Sequence, residues 1–364
     1  MQTKKLLKQL RIPDFNTNRT KEIFNYNPAS TQKRQDVVNS KLYVYNYNAD
    51  SVEHCKLKSV VEVVPYTANG KVTWINMDGL AKSEVEPICS TFHIHPLLVE
   101  DILSIGQRPK VDEIEGVLFC LLNMLYWNEQ KCAVEQEQVS IVLGKNFVIT
   151  FQEDAERDVF NQIRGKLQLD NGKLRLRGAD YLCYSLIDII VDHYFVVIEK
   201  LAEKIEELEE EIIYSSTKKT LEKLNALKKE LILLRRNVTP VRDLLNSLIR
   251  SESDLLGDQV YKYFKDVLDH IIQAHDVVEN CRDIMNSLQD LYISKVNLKM
   301  NEAMKVMTIV TCLLAPATVI GGIFGMNFEI IPIAHHQYGF YIAMAFMIFI
   351  PVLMLFIFRI RGWF

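Results

Sequence analysis

Carboxylate and imidazole side chains at two places in the sequence could bind a divalent cation. Glu100 and Asp101 are adjacent, and Asp266 and His270 are four residues apart, which places the second pair on one face of a helix. Carboxylate oxygens are ligands that Mg²⁺ accepts in proteins. The same residues are also typical of ordinary charged surface, and their spacing alone does not separate the two interpretations.

A polar stripe near the C-terminal end is the second feature whose residue types could interact with an ion. In steps of three and four residues, every member of one series is polar, small or flexible, whereas the positions between them are mainly Val, Ile, Leu, Met and Phe. The stripe consists of Asn301, Met304, Thr308, Thr311, Ala315, Thr318, Gly322 and Gly325. It indicates either close packing of small residues between membrane helices or one wall of a water-filled pore. A pore would require several copies of the chain, because two spans cannot enclose a channel.

The elements that must position this stripe are two uncharged segments, at 306–328 and 338–358. About 20 apolar residues in a helix cross the hydrocarbon core of a bilayer, so we predict two transmembrane helices. Lys and Arg residues precede the first segment and follow the second, but they are absent from the connecting segment 326–337. The positive-inside rule therefore predicts that both termini are cytoplasmic and that the connecting segment faces outward.

Composition excludes several other classes of protein. The chain has 364 residues and a net charge of −4, with no basic patch of the kind that binds nucleic acid. Its seven cysteines form no CxxC pair, which favours a reducing compartment over a disulfide framework. It has no Gly-rich phosphate loop, GxSxG or HExxH motif, so we do not expect an enzyme. The N-terminus lacks the apolar core of a signal peptide.

The rest of the chain is predicted to be an α/β cytoplasmic domain followed by long helices. Short β-prone runs occur at 42–45, 60–64, 72–75, 117–122 and 139–148, with a helix near 96–103. The predicted divisions are a polar arm (1–40), the α/β domain (41–175), an antiparallel helical pair (176–256), a stalk helix that continues into the first transmembrane helix (257–325, the span at about 305–325), an external loop (326–337), the second transmembrane helix (338–358) and a basic cytoplasmic tail (359–364).

The helical pair carries a strong charge pattern. Its first helix is glutamate-rich at 203–211, and the second has Lys and Arg between its leucines. The acidic run is either a solvated helix face or a surface that gathers cations.

Directly after the polar stripe comes Phe324-Gly325-Met326-Asn327-Phe328-Glu329. At this point the sequence resembles the CorA family of magnesium channels, whose signature is an aromatic-Gly-Met-Asn run at the end of the first of two C-terminal spans. The resemblance extends from about residue 41 to the end. It includes the segments at 95–103, 107–110, 184–188 and 266–270. It implies a homopentameric funnel with an α-helical membrane region, in which five copies of the first span line the pore.

The resemblance also implies roles for pore residues. Asn327, with Gly325 and Met326, would form an outer ring of carbonyl oxygens that accepts a hydrated ion, since Mg²⁺ gives up its waters reluctantly. Thr318 and Asn301 would form further polar rings. Ala315 departs from the family pattern, in which a bulkier residue narrows the pore at that level. The gate is therefore placed at Met304 and Met307.

In the family, magnesium bound between cytoplasmic domains holds the channel closed. Carried over residue by residue, one site joins Asp101 of one subunit to Asp266 of the next. Glu100, Asp188 and His270 would surround a second site.

These observations predict a divalent-cation channel for magnesium uptake that is gated by cytoplasmic Mg²⁺, with Co²⁺ and Ni²⁺ as further candidate ions. The expected location is a bacterial inner membrane, and the expected partners are other copies of the chain, the lipid bilayer and hydrated divalent cations, with no nucleic acid. Two alternatives remain: a zinc transporter of a related branch, which departs from Gly-Met-Asn, and a non-conducting membrane-anchored scaffold.

Overall fold

The computed structural model describes residues 40–66, 70–154, 157–170, 172–326, 331, 333 and 336–363. The chain forms two compact units, which are considered separately. The first comprises Met1–Glu210 with Lys219–Ser287, and the second comprises Glu211–Lys218 with Leu288–Phe364.

A mixed β-sheet is the centre of the first unit. Its seven strands follow the order β2-β1-β3-β7-β6-β5-β4, and all neighbours are antiparallel except β3 and β7. The strands are β1 (Lys41–Tyr47), β2 (Val52–Leu57), β3 (Val72–Asp78), β4 (Lys110–Ile114), β5 (Val117–Asn128), β6 (Ala133–Leu143) and β7 (Phe147–Gln152). The two-residue turn between β4 and β5 has positive φ at both Glu115 and Gly116, the type I′ geometry that matches strand twist.

Seven α-helices lie within the described residues. They are α1 (Lys82–Thr91), α2 (Pro96–Leu103), α3 (Asn161–Gln168), α4 (Ala179–Tyr214), α5 (Lys218–Arg250), α6 (Tyr261–Phe324) and α7 (Gly339–Ile360). One face of the sheet packs on α1 and α2 through a shared apolar core that includes Ile75, Ile88 and Ile102. Cys183 of α4 contacts the side chain of Cys120 in β5, which points to the face opposite Phe119 and Leu121 of that core. Tyr194 of α4 also donates a hydrogen bond to the Asn123 carbonyl at 2.6 Å. The sheet is therefore covered by helices on both sides.

The directions of the long helices follow from their side-chain contacts. Tyr181 and Asp192 of α4 lie beside Tyr263 and His270 of α6 in the same order along both helices, so α4 and α6 are parallel. Contacts between α5 and α6 run in the reverse order: Arg235 pairs with Glu279, and Lys228 donates to Asn286. Consequently α4 and α5 run in opposite directions.

One of the β-prone runs is not a strand, and another spans parts of two strands. The valine-rich run at 60–64 is part of a 3₁₀ helix, Val60–Tyr66, which contains Pro65. Proline offers no N–H to a strand ladder, and this disfavours a strand here. The run at 139–148 is divided between β6 and β7. The turn between them includes Gly144, where a Cβ atom would clash with the Phe147 ring. Strands β2 and β4 have no counterpart among the predicted runs.

Three helices, α4, α6 and α7, are long and apolar enough to cross a membrane by length and composition. Half of the apolar window of α4 is buried inside the first unit, including the fully buried Leu186 and Tyr194. In α6 and α7 the corresponding windows are 6% and 0% buried. Since α4 already packs against the sheet, the two remaining helices are the ones with apolar surface available to lipid.

A buried carboxylate in the first unit makes its stability depend on pH. Glu137 of β6 is 5% exposed and accepts the backbone N–H groups of Glu153 and Asp154, each at 2.8 Å. Burial raises the pKa of Glu137 to about 7 despite these bonds. In the unfolded chain the pKa is lower, so between about pH 4.5 and 7 the folded state holds more protons.

The stability that comes from protonated Glu137 is therefore fully present below about pH 4.5 and is lost as the pH rises to about 7. The loss is on the order of 3 kcal/mol at most. We expect Glu137→Gln to remove this slope, because the amide oxygen can still accept both N–H groups and carries no charge. Thermal unfolding of the purified full chain between pH 5 and 8 measures it, and an unchanged slope in the variant would assign the titration to another group.

Candidate metal sites and the candidate pore-lining helix face

Three potential metal ligands meet in the first unit. Asp188 and Asp192 are four residues apart on α4, and His270 reaches them from α6, so that one ligand atom from each lies within 4.8 Å of the others. Asp188 and His270 belong to the predicted second site, but Asp192 was missed. Its i,i+4 spacing from Asp188 was the signal available in the sequence.

The surroundings of this cluster favour a bound cation. Burial raises the pKa of Asp188, and the adjacent Asp192 raises it further, whereas a hydrogen bond from Tyr184 and the nearby His270 oppose the shift. The Nδ1 atom of His270 is buried without a hydrogen-bond partner among the described residues and lies 3.7 Å from Asp192 Oδ1. Two carboxylates and an imidazole fit a divalent cation, and the imidazole suits Co²⁺ or Ni²⁺ better than Mg²⁺.

The other predicted metal ligands are not members of this cluster. Glu100 is exposed on α2, and Asp266 is exposed on α6. Asp101, also on α2, is bound by Lys110 Nζ at 2.6 Å. The predicted pairing of Asp101 with a neighbour's Asp266 concerns two subunits and stays a prediction.

Within the second unit, two faces of α6 differ in their solvent exposure. One face is shielded, and to one side of it a Cβ atom on Gly321 would be 3.9 Å from Met347 Cε of α7. The shielded positions are Ile309, Cys312, Leu313, Pro316, Ala317 and Ile320. All eight residues of the polar stripe are exposed. At about 100° per residue, the midlines of the shielded face and the stripe are roughly 150° apart. Packing against α7 within the same chain therefore does not explain the stripe.

Threonine hydroxyls of the stripe are oriented by the helix itself. Each donates its proton to a carbonyl one turn earlier, and its oxygen keeps lone pairs that can accept a hydrogen bond from water. The bonds are Thr308 to Met304 (2.8 Å), Thr311 to Met307 (2.9 Å) and Thr318 to Leu314 (3.1 Å). Exposed hydroxyl oxygens that act as acceptors suit a hydrated cation.

Gly325 follows the last residue of α6 and leaves little space for a side chain. Its N–H donates to the Gly321 carbonyl at 2.9 Å, and a Cβ atom would lie 3.1 Å from that carbonyl oxygen. Met326 is 52% exposed. Asn327, the predicted selectivity residue, lies outside the described residues.

Comparison with known proteins relates this architecture to one family. Residues 69–360 match the family model described as CorA-like Mg²⁺ transporter protein. The "Cobalt/magnesium transport protein CorA" of Thermotoga maritima is 40% identical over 324 residues, which cover 89% of this chain and 92% of that protein. The chain belongs to the CorA-like Mg²⁺ transporter family. The family assigned from the Gly-Met-Asn motif is thus confirmed.

Solved structures with the same fold support the architecture predicted for a CorA protein. "The complete structure of CorA magnesium transporter from Methanocaldococcus jannaschii" matches with a TM-score of 0.73 at 24% identity, over 91% of this chain and 100% of that chain. The "structure of the full-length CmaX protein" matches with a TM-score of 0.69 at 17% identity, over 90% and 99% of the two chains. The predicted order, an α/β domain followed by long helices, is confirmed.

Proposed function

We propose that this chain is a subunit of a channel that carries hydrated Mg²⁺ into the cell, with Co²⁺ and Ni²⁺ as further substrates. The observation that carries the proposal is the polar stripe of α6, which is exposed along its whole length and lies about 150° from the shielded face. The three hydroxyls of the stripe that lie within the span at 306–328 are better placed beside protein or water than against lipid. The name of the Thermotoga relative supports magnesium and cobalt as the ions.

The chemistry of the stripe suits an ion that keeps its waters. Mg²⁺ dehydrates reluctantly, so neutral oxygen acceptors that bind its water ligands can pass it without stripping them. The hydroxyls of Thr308, Thr311 and Thr318 are such acceptors. Asn301 and Asn327 would add amide rings near the two ends of the path. Met304 and Met307, 54% and 70% exposed, would form the apolar gate between them.

The channel would be a homopentamer in a bacterial inner membrane, with both termini cytoplasmic. One copy cannot surround a pore, because α6 contributes a single wall. The orientation rests on Lys305 and Arg359, which flank the spans on the proposed cytoplasmic side, and on the absence of Lys and Arg from 326–337.

Stoichiometry tests this assembly. Native mass spectrometry of the full chain in gentle detergent is expected to show mainly pentamers. The reason is that the polar stripe needs neighbouring copies to avoid lipid. The double variant Thr311→Leu, Thr318→Leu should reduce Mg²⁺ flux more than it weakens the pentamer, since the proposed subunit interfaces also involve the first unit of each chain. Mainly monomers or dimers of the wild-type protein would contradict the pore.

Cytoplasmic Mg²⁺ would close the channel. We place a regulatory ion between Asp101 and the neighbour's Asp266, and a second ion at Asp188, Asp192 and His270, whose ligand atoms lie together within one chain. Glu100 would contribute to the second site from its exposed position on α2. Bound ions would offset repulsion between carboxylates and hold the closed arrangement.

A further inference from the structure

One lysine lies where the proposed regulatory ion would bind. Lys110, the first residue of β4, contacts Asp101 Oδ2 at 2.6 Å and Asp112 Oδ2 at 3.0 Å. We propose that Lys110 is a tethered cation that competes with the divalent ion for Asp101 and thereby sets a weak affinity at the regulatory site. This inference rests on the proposed function, because it concerns the same carboxylate.

Both partners of the Lys110–Asp101 pair are held in place by other bonds. The Asp101 carbonyl accepts from Gln138 Nε2 at 3.1 Å and from Ser104 Oγ at 2.9 Å, which fixes this turn of α2 against the sheet. Lys110 is paired with Leu121 in the β4–β5 ladder. The ammonium is therefore brought to Asp101 by the fold, and little additional ordering is needed to form the pair.

Its position makes the pair a competitor rather than a distant charge. The Asp101 side chain is 17% exposed and that of Lys110 is 36% exposed, so solvent screens the contact only in part. A divalent ion that binds Asp101 must displace the ammonium from Oδ2 or lie close to a like charge. Either course lowers the affinity for the ion.

Asp112 gives the displaced ammonium a second partner. It is 40% exposed and already contacts Lys110 Nζ, so the lysine can shift towards it when a metal ion takes Asp101. Removal of the Asp112 charge should therefore leave Lys110 more firmly on Asp101. Removal of the Lys110 charge is thus expected to raise the affinity of Asp101 for the metal ion, and removal of the Asp112 charge is expected to lower it.

The test is the half-saturating Mg²⁺ concentration, the apparent dissociation constant obtained by fitting the melting temperature of the detergent-solubilised full chain as a function of Mg²⁺ concentration. All variants carry Asp192→Asn and His270→Ala, so that the three-ligand cluster contributes little. Lys110→Met should lower the half-saturating concentration about five- to tenfold, and Asp112→Asn should raise it about two- to threefold. Lys110→Arg keeps the charge and should stay within about twofold of the parent.

A purely structural ion pair would change the melting temperature without Mg²⁺ but not the half-saturating concentration. An unchanged or raised concentration in Lys110→Met would overturn the proposal, and so would an unchanged or lowered one in Asp112→Asn. Should Lys110→Met fail to fold, Asp112→Asn decides alone. Asp101→Asn separates this proposal from the one it rests on: if that variant keeps the parent's Mg²⁺ response, the regulatory site itself is misplaced. If it loses the response while Lys110→Met shows no shift, only the role of Lys110 fails.

Discussion

Asn327→Ala and Gly325→Val are each expected to abolish Mg²⁺ uptake while leaving membrane insertion and assembly intact. Alanine at 327 removes the proposed ring of carbonyl oxygens that accepts the hydrated ion. Valine at 325 forces a side chain to within 3.1 Å of the Gly321 carbonyl oxygen, which the N–H of Gly325 also contacts. The chain beyond α6 would then leave the helix in a different direction. Uptake of Mg²⁺ by cells that depend on this protein measures the effect.

Gly321→Ala is the matched control for the glycine variant. Outside the backbone of its own helix, a Cβ atom there would meet Met347 Cε at 3.9 Å, an ordinary contact, so uptake should be retained. Alanine also favours a helix over glycine by about 1 kcal/mol, which opposes any loss of stability. Normal uptake by Asn327→Ala would show that the outer ion site lies elsewhere. Equal losses in Gly321→Ala and Gly325→Val would show that α6 tolerates no added side chain at this end.

Asp101→Asn combined with Asp266→Asn is expected to free the channel from inhibition by cytoplasmic Mg²⁺. With the carboxylates neutral, the proposed intersubunit ion has no strong ligands, and binding no longer favours the closed state. A ligand moves a conformational equilibrium only by its difference in affinity between two states. The five sites of the proposed pentamer would together supply several kcal/mol. Currents through the variant should persist at cytoplasmic Mg²⁺ concentrations that silence the wild type.

Two further variants sharpen this result. Asp269→Asn changes another exposed carboxylate on α6 that lies outside the proposed site, and its inhibition by Mg²⁺ should be normal. Lysine at both Asp101 and Asp266 places fixed ammonium groups where the metal would bind, and a well-placed ammonium should keep the channel closed. If the double Asn variant is inhibited as strongly as the wild type, the sensor is located elsewhere.

Features that depend on periodicity and solvent could be predicted from the sequence. Membrane spans are long uncharged runs because lipid offers no partners for polar groups. The uncharged run at 338–358 matches the bounds of α7 to within two residues at each end. The stripe of α6 was visible because a helix repeats every three to four residues. The sequence did not show which face of α6 is shielded, since the shielding depends on where α7 packs.

Features that depend on contacts between distant segments could not be predicted in the same way. The sheet order requires β7 to lie beside β3 although β4 to β6 come between them in sequence. The sequence did not indicate that Lys110 pairs with Asp101, because the contact forms only when β4 and α2 meet in the fold. Asp192 could have been found from its spacing to Asp188, but a pair of acidic residues on a helix is most often a solvated face. The valine run at 60–64 shows that β-propensity is a weak guide where Pro65 interrupts the ladder.

The central claim is that this chain alone forms a path for Mg²⁺. The most direct measurement is Mg²⁺ influx into liposomes that contain only the purified protein, with an inside-negative voltage imposed and with low Mg²⁺ on the side that holds the first unit. We expect influx well above that of protein-free liposomes, an increase of the influx with voltage, and loss of the influx in Asn327→Ala. Influx equal to that of protein-free liposomes, from protein that is pentameric in the same membranes, would contradict it.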